Sequence, residues 1–133
     1  MPVRMELRRI LIREVQERHV VELREVDGQR ELPIEIALNE AAAIERRLLG
    51  QVPPRPQTHE LLTSVIESLG AKIERVEITE FKDRVFYARL WLRRDGELID
   101  IDARPSDALA LSVASGAPIY VQEKVLEEVD DLG

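Results

Sequence analysis

The sequence predicts one α+β domain over residues 1–133, a mixed or mainly antiparallel sheet of hairpins covered by three to four helices. Three observations predict it. Apolar and charged residues alternate in short runs such as Val3-Arg4-Met5-Glu6-Leu7, the period of a half-buried strand. Asp27-Gly28 and Asp95-Gly96 stand between such runs as hairpin turns. Each of these hairpins precedes a helical segment that stops at glycine, Gly50 in one case and Gly116 in the other. Hairpins that alternate with helices fit this class better than a strictly wound parallel sheet. Their order also suggests a hairpin–helix duplication, with few identities between the two copies.

The elements follow in order. Val3 to Leu7 with Ile10 to Ile12 reads as a first strand, His19 to Val26 as a second and Glu31 to Ile36 as a third. Asn39 is placed to cap a helix over Glu40 to Leu49, whose Ala41, Ile44 and Leu48 share a face. A proline-rich loop, Gln51 to Gln57, leads to the clearest helix. There Leu61, Leu62, Val65, Ile66 and Leu69 form one apolar stripe, and Gly70 ends it. Lys72 to Phe81, Val85 to Arg93 and Glu97 to Ala103 are strand-like. Phe86 alternates with Ala88, Leu90 and Leu92 on a core face, which puts Tyr87 and Trp91 on the other. Ser106 to Ser115 is apolar nearly all round, so it is expected to be buried. A last strand, Pro118 to Gln122, and an acidic helix, Glu123 to Asp130, complete the chain.

Composition removes several function classes. The chain contains no cysteine, which excludes disulfide scaffolds, thiolate metal sites and cysteine nucleophiles. No apolar run reaches the length of a membrane span. The first residues lack the apolar core of a signal peptide, so the expected location is the cytoplasm. The net charge of −7 argues against broad electrostatic capture of nucleic acid. A carboxylate site that works with a divalent cation can still act on phosphodiesters. No glycine-rich phosphate loop, nucleophile elbow or His-x-x-x-His pair is present.

Two helix starts carry most of the chemical signal. One reads Arg55-Pro56-Gln57-Thr58-His59-Glu60, the other Arg104-Pro105-Ser106-Asp107. In both, proline stands at or just before the first turn. Thr58, Ser106 and Asp107 are candidates to cap free N–H groups. Helix N-termini attract anions, so Arg55 and Arg104, with Thr58 and Ser106, are candidate phosphate ligands. Ordinary start signals, with arginines paired to nearby carboxylates, are the plain alternative. Asp100 and Asp102 share one strand face, about 6.5 to 7 Å apart along it. With Asp107 they are a candidate set for Mg²⁺ or Mn²⁺, or simply a wet strand face. His59 is a candidate base, metal ligand or loop-fixing residue.

In combination these segments resemble the bifunctional nuclease family. The resemblance rests on Leu32-Pro33-Ile34, Ala41 to Ile44, Pro53 to Leu62, Phe86-Tyr87-Ala88, Ile101 to Ala108 and Pro118 to Val121, in the family's order along nearly the whole chain. Glu35, Ala37 and Arg84 depart from it, and Arg84 stands where the family has a turn glycine. The resemblance implies an α+β fold, a DNase and RNase acting on nucleic acid, and a homo-oligomer, with a dimer as the first expectation. It supplies no catalytic set. The residues leave three readings open. One is a metal-assisted nuclease with His59, Asp100 and Asp102 as its chemical groups. Another is a non-catalytic regulatory domain that binds a nucleotide-like anion at the arginine-led helix starts. The third is purely structural, with the same motifs as determinants of the fold and of an interface.

Overall fold

A computed structural model describes residues 1–11 and 18–131. In chain order the elements are β1 (Pro2–Leu11), β2 (Arg18–Glu25), β3 (Glu31–Ala37), α1 (Leu38–Leu48), α2 (Thr58–Ser68), β4 (Lys72–Lys82), β5 (Val85–Arg94), β6 (Glu97–Ala103), α3 (Pro105–Ser115), β7 (Ile119–Gln122) and α4 (Glu123–Asp131). The α+β class read from the sequence is borne out. The first strand is described from Pro2 to Leu11, and Ile12, to which it was predicted to reach, lies outside the described residues.

The strands form one seven-stranded sheet in the order β3-β2-β1-β7-β4-β5-β6. Its neighbours pair antiparallel except β4 with β7, which run parallel. The order is symmetric about β7. On either side lies a three-stranded antiparallel meander followed in sequence by a helix, α1 in one half and α3 in the other.

The core is continuous across both halves. Val21, Leu23, Leu32 and Ile34 come from the first meander, and Val76, Ile78, Ala88 and Leu90 from the second. Helix α3 lies between them with Ser106 and Ala108 to Ser112 buried. It packs on α1, α2, β4 and β5 and reaches β3. A helix that is apolar around its circumference is stable in water only when enclosed. Its buried Ser112 is satisfied by a 2.5 Å bond from its hydroxyl to the carbonyl of Ala117. At the β4–β7 junction the buried Glu77 accepts a hydrogen bond from Gln122 and lies 3.5 Å from Arg75.

One local expectation needs correction. Asn39 does not cap α1. β3 runs straight into the helix, Ala37 holds the cap position in extended geometry, and no side chain caps the turn. The cap is fixed by where the strand ladder ends, not by the polar residue nearest the helix. The apolar stripe read on α2 is present but faces water over most of its length. Only Ile66 is buried there, while Leu61, Leu62, Val65 and Leu69 are between 41 and 63% exposed.

The β4–β5 turn places Asp83 and Arg84 at φ of 53° and 63°. Two left-handed residues in succession make a tight hairpin turn that favours glycine. Side chains in that region cost about 1–2 kcal/mol each, while glycine loses more backbone entropy on folding. Arg84→Gly should therefore raise stability by roughly 0.5–1 kcal/mol, read as a higher urea midpoint with an unchanged slope. A lower midpoint would show that Arg84 makes a compensating contact.

Candidate active site

Three helix N-termini converge on one cleft of about 440 Å³. Asn39 and Glu40 come from the first turn of α1, Thr58 and His59 from that of α2, and Asp107 from that of α3. Arg104, the residue before α3, and Arg46 and Gln57 complete the polar lining. Each N-terminus presents unpaired N–H groups and partial positive charge. The third helical residue is acidic in all three: Glu40, Glu60 and Asp107.

One chain of hydrogen bonds joins the three helices. His59 Nε2 donates to Asp107 Oδ1 at 3.0 Å. Arg104 donates from Nε to Asp107 Oδ2 at 2.9 Å and from Nη2 to Glu40 Oε1 at 3.1 Å. Glu60 accepts the N–H of Gln57 at 3.1 Å, which closes the first turn of α2, and pairs with Arg47 of α1 at 3.2 Å. Thr63 Oγ1 donates to the carbonyl of His59 at 3.0 Å.

Asp107 is the hub. Burial pushes its carboxyl up, but the hydrogen bonds from Arg104 and His59 outweigh this and hold it below the ordinary value of 3.8. Arg104 is held charged in turn, first by its hydrogen bond to Asp107. An ionised carboxylate can only accept, so His59 carries its proton on Nε2 in this contact. Among the described residues, Nδ1 of His59 and Nη1 of Arg104 make no hydrogen bond. Arg46 forms no ion pair there either. The site thus combines an oriented imidazole, one open guanidinium nitrogen and an unpaired arginine.

The sequence candidates divide into two groups. His59, Asp107, Arg104 and Thr58 come together in the cleft. Thr58 is the first helical residue rather than a cap, and Gln57 and Arg104 hold the cap positions. Ser106 is buried at the second position of α3 and faces a separate groove across the Arg104–Glu40 pair. Arg55 is exposed in the loop and does not line the cleft.

Asp100 and Asp102 lie on β6, an exposed strand at the sheet edge. Asp100 pairs with Arg89 at 3.4 Å, and Asp102 stands opposite Arg89 in register. Among the described residues, no three His, Asp or Glu side chains are close enough to share a metal ion. Asp100, Asp102 and Asp107 are therefore not gathered into one site. Glu40, Gln57 and Arg46 were missed from sequence. The recurrent acidic residue at the third helical position was the signal that could have found Glu40.

The lowered Asp107 value fixes a pH dependence. A carboxyl whose folded value lies below its unfolded one stabilises the fold above the unfolded value, and loses that contribution as pH falls through the folded value. Wild type should lose stability more steeply than Asp107→Asn below roughly pH 4, followed by circular dichroism at fixed urea. Parallel curves for the two proteins would mean that the pairing does not survive in solution.

The bifunctional nuclease domain family matches residues 21–131. An uncharacterized protein of Mycobacterium tuberculosis is 42% identical over 119 residues, 90% of this chain and 71% of that protein. Bifunctional nuclease 1 of Oryza sativa subsp. japonica is 29% identical over 111 residues, 80% of this chain and 34% of the rice protein. Bifunctional nuclease 2 of Arabidopsis thaliana is 28% identical over 72 residues, 52% of this chain and 22% of its own length. Matched over the greater part of its length, this chain belongs to the bifunctional nuclease domain family.

Proposed function

We propose that this chain is a nuclease that hydrolyses phosphodiester bonds in DNA and RNA in the cytoplasm, with the three-helix cleft as its active site. The observation that carries the reading is the Asp107–His59 pair beside Arg104 where three helix N-termini meet. The names of the rice and Arabidopsis relatives support it.

The steps follow from the geometry. A backbone phosphate enters the positive field of the helix starts and meets Arg46 and the open Nη1 of Arg104. Asp107 holds the imidazole with its proton on Nε2, which leaves the lone pair of Nδ1 as general base. Water attacks phosphorus as Nδ1 removes its proton. The bond to the leaving sugar oxygen then breaks, and that oxygen leaves with the electron pair and recovers a proton from the imidazolium. Glu40 and Asp107 hold Arg104 in place, so its charge is available without moving.

Among the described residues, no three His, Asp or Glu side chains gather closely enough to hold a metal ion without further ligands. A requirement for Mg²⁺ or Mn²⁺ is a separate proposal, in which the ion is held mainly by substrate phosphates and water. The steps above do not use it.

The test is cleavage of single- and double-stranded DNA and RNA by wild type, His59→Ala, Asp107→Asn and Asp102→Asn. All are purified in parallel and assayed with Mg²⁺, with Mn²⁺ and with chelator. His59→Ala should lower the rate by roughly 10²–10⁴-fold in a folded protein. Loss of cleavage on Asp102→Asn, with His59→Ala still active, would move the site to the edge strand. Tight binding of nucleotides with no cleavage by any preparation would favour the regulatory anion-binding reading.

A further inference from the structure

We infer that the groove beside the cleft is a nucleobase subsite, which takes one unpaired base of a strand whose phosphate lies in the cleft. The inference rests on the three-helix cleft as the place where the strand is held. It adds a substrate class, single-stranded nucleic acid.

The groove has a volume of about 970 Å³ and lies between the two meanders. Val20 and Ile36 line it from the first, Phe81 and Phe86 from the second, and Val129 from α4. It shares Arg104 and Glu40 with the cleft, so the two spaces meet at that ion pair. One extended ligand can span this border.

Register fixes the aromatic pair beside it. Phe81 and Phe86 are partners across the β4–β5 ladder, with ring centroids 4.5 Å apart. Ala88 stands opposite Ala103, the residue before Arg104. Phe86 lies two residues from Ala88 on the same face, about 6.5–7 Å along the strand. At that level the continuation of β6 has become the start of α3, so the rings stand next to Pro105 and Ser106. Both rings are only partly buried, which leaves aromatic surface for a base to stack on.

Ser106 is an independent observation. It is 8% exposed and lines the groove, yet its hydroxyl makes no hydrogen bond among the described residues. A buried hydroxyl without a partner costs folding free energy. Placed at a groove, it can donate to or accept from the edge of a base.

The charges select the neutral part of a strand. In the groove Arg84 and Arg104 stand against Glu22, Glu35 and Glu40, so no cationic surplus meets a phosphate there. Aromatic rings, apolar walls and a free hydroxyl suit a base, which is planar, uncharged and edged with donors and acceptors. A base inside a duplex is stacked and paired, and reaches such a groove only by leaving the helix. The groove therefore favours single strands.

Binding is measured apart from cleavage, with the full chain carrying His59→Ala. Fluorescence anisotropy gives the Kd of three dye-labelled probes: a single-stranded DNA decamer, the same decamer paired with its complement, and a decamer of tetrahydrofuran abasic residues. The single strand should bind roughly 5- to 150-fold tighter than the abasic strand, and tighter than the duplex. Phe86→Leu keeps an apolar side chain without the flat ring, and should remove most of that preference. Ser106→Ala should weaken binding of the single strand roughly 2- to 10-fold. It should not lower the urea midpoint, because it deletes an unpaired hydroxyl. Neither change should alter the affinity for the abasic strand. Equal affinity for the three probes, no binding of any, or a preference indifferent to both substitutions overturns the inference. Base-dependent binding without cleavage by the protein with His59 intact would keep the subsite and remove the nuclease reading. Cleavage that depends on His59, with equal affinity for the three probes, would do the reverse.

Discussion

Helix α3 has almost no polar side to show to water, and the placement of its neighbours follows from that. Ala108 to Ser112 are all buried. An apolar cylinder of this kind must be enclosed on every side. The second meander supplies β4 and β5 beneath it, α1 and α2 flank it, and the first meander reaches it through β3. The one end that can stay polar is the start of the helix. Arg104 and Asp107 therefore emerge at the surface of a molecule otherwise closed around α3.

This constraint also makes the cleft. α1 and α2 both pack on α3 and both begin near its beginning, so three sets of free N–H groups face a common space. Without compensation that space would be strongly positive. The acidic third residue of each helix offsets part of this field. Glu40 and Asp107 hold Arg104, and Glu60 closes its own first turn. What is left for a ligand is Arg46, one edge of Arg104 and an imidazole whose orientation is fixed. The charged side chains of the cleft balance, Arg46 and Arg104 against Glu40 and Asp107, so the three helix starts supply whatever positive field an anion would meet.

The sheet shows the same economy on its other flank. Its two meanders are arranged alike about β7, but their coverage differs. The first has its helix in place. The outermost strand of the second has apolar residues on the core side and, among the described residues, no helix in more than marginal contact with it. On the opposite face of the sheet Asp100 pairs with Arg89, and Trp91 of β5 lies 4.8 Å beneath the guanidinium of Arg75.

The amino-acid sequence by itself determined the element types, nearly all their limits and the burial of α3, because each depends on periodicity, turn residues and local caps. Asp95-Gly96 closes its hairpin with both residues at positive φ, as the dipeptide indicates. Gly50 and Gly70 end α1 and α2 by bonding back to Arg47 and Glu67. The sequence also marked His59, Arg104 and Asp107 as residues of interest. Only the tertiary structure decided that His59 and Asp107, 48 residues apart, lie 3.0 Å from each other. It likewise left Arg55, Asp100 and Asp102 outside the cleft and turned the stripe of α2 toward water. The physical reason is that a local pattern states that a face is apolar or that a helix begins. Which surface covers that face, and which helix starts become neighbours, depends on how the whole chain closes around α3.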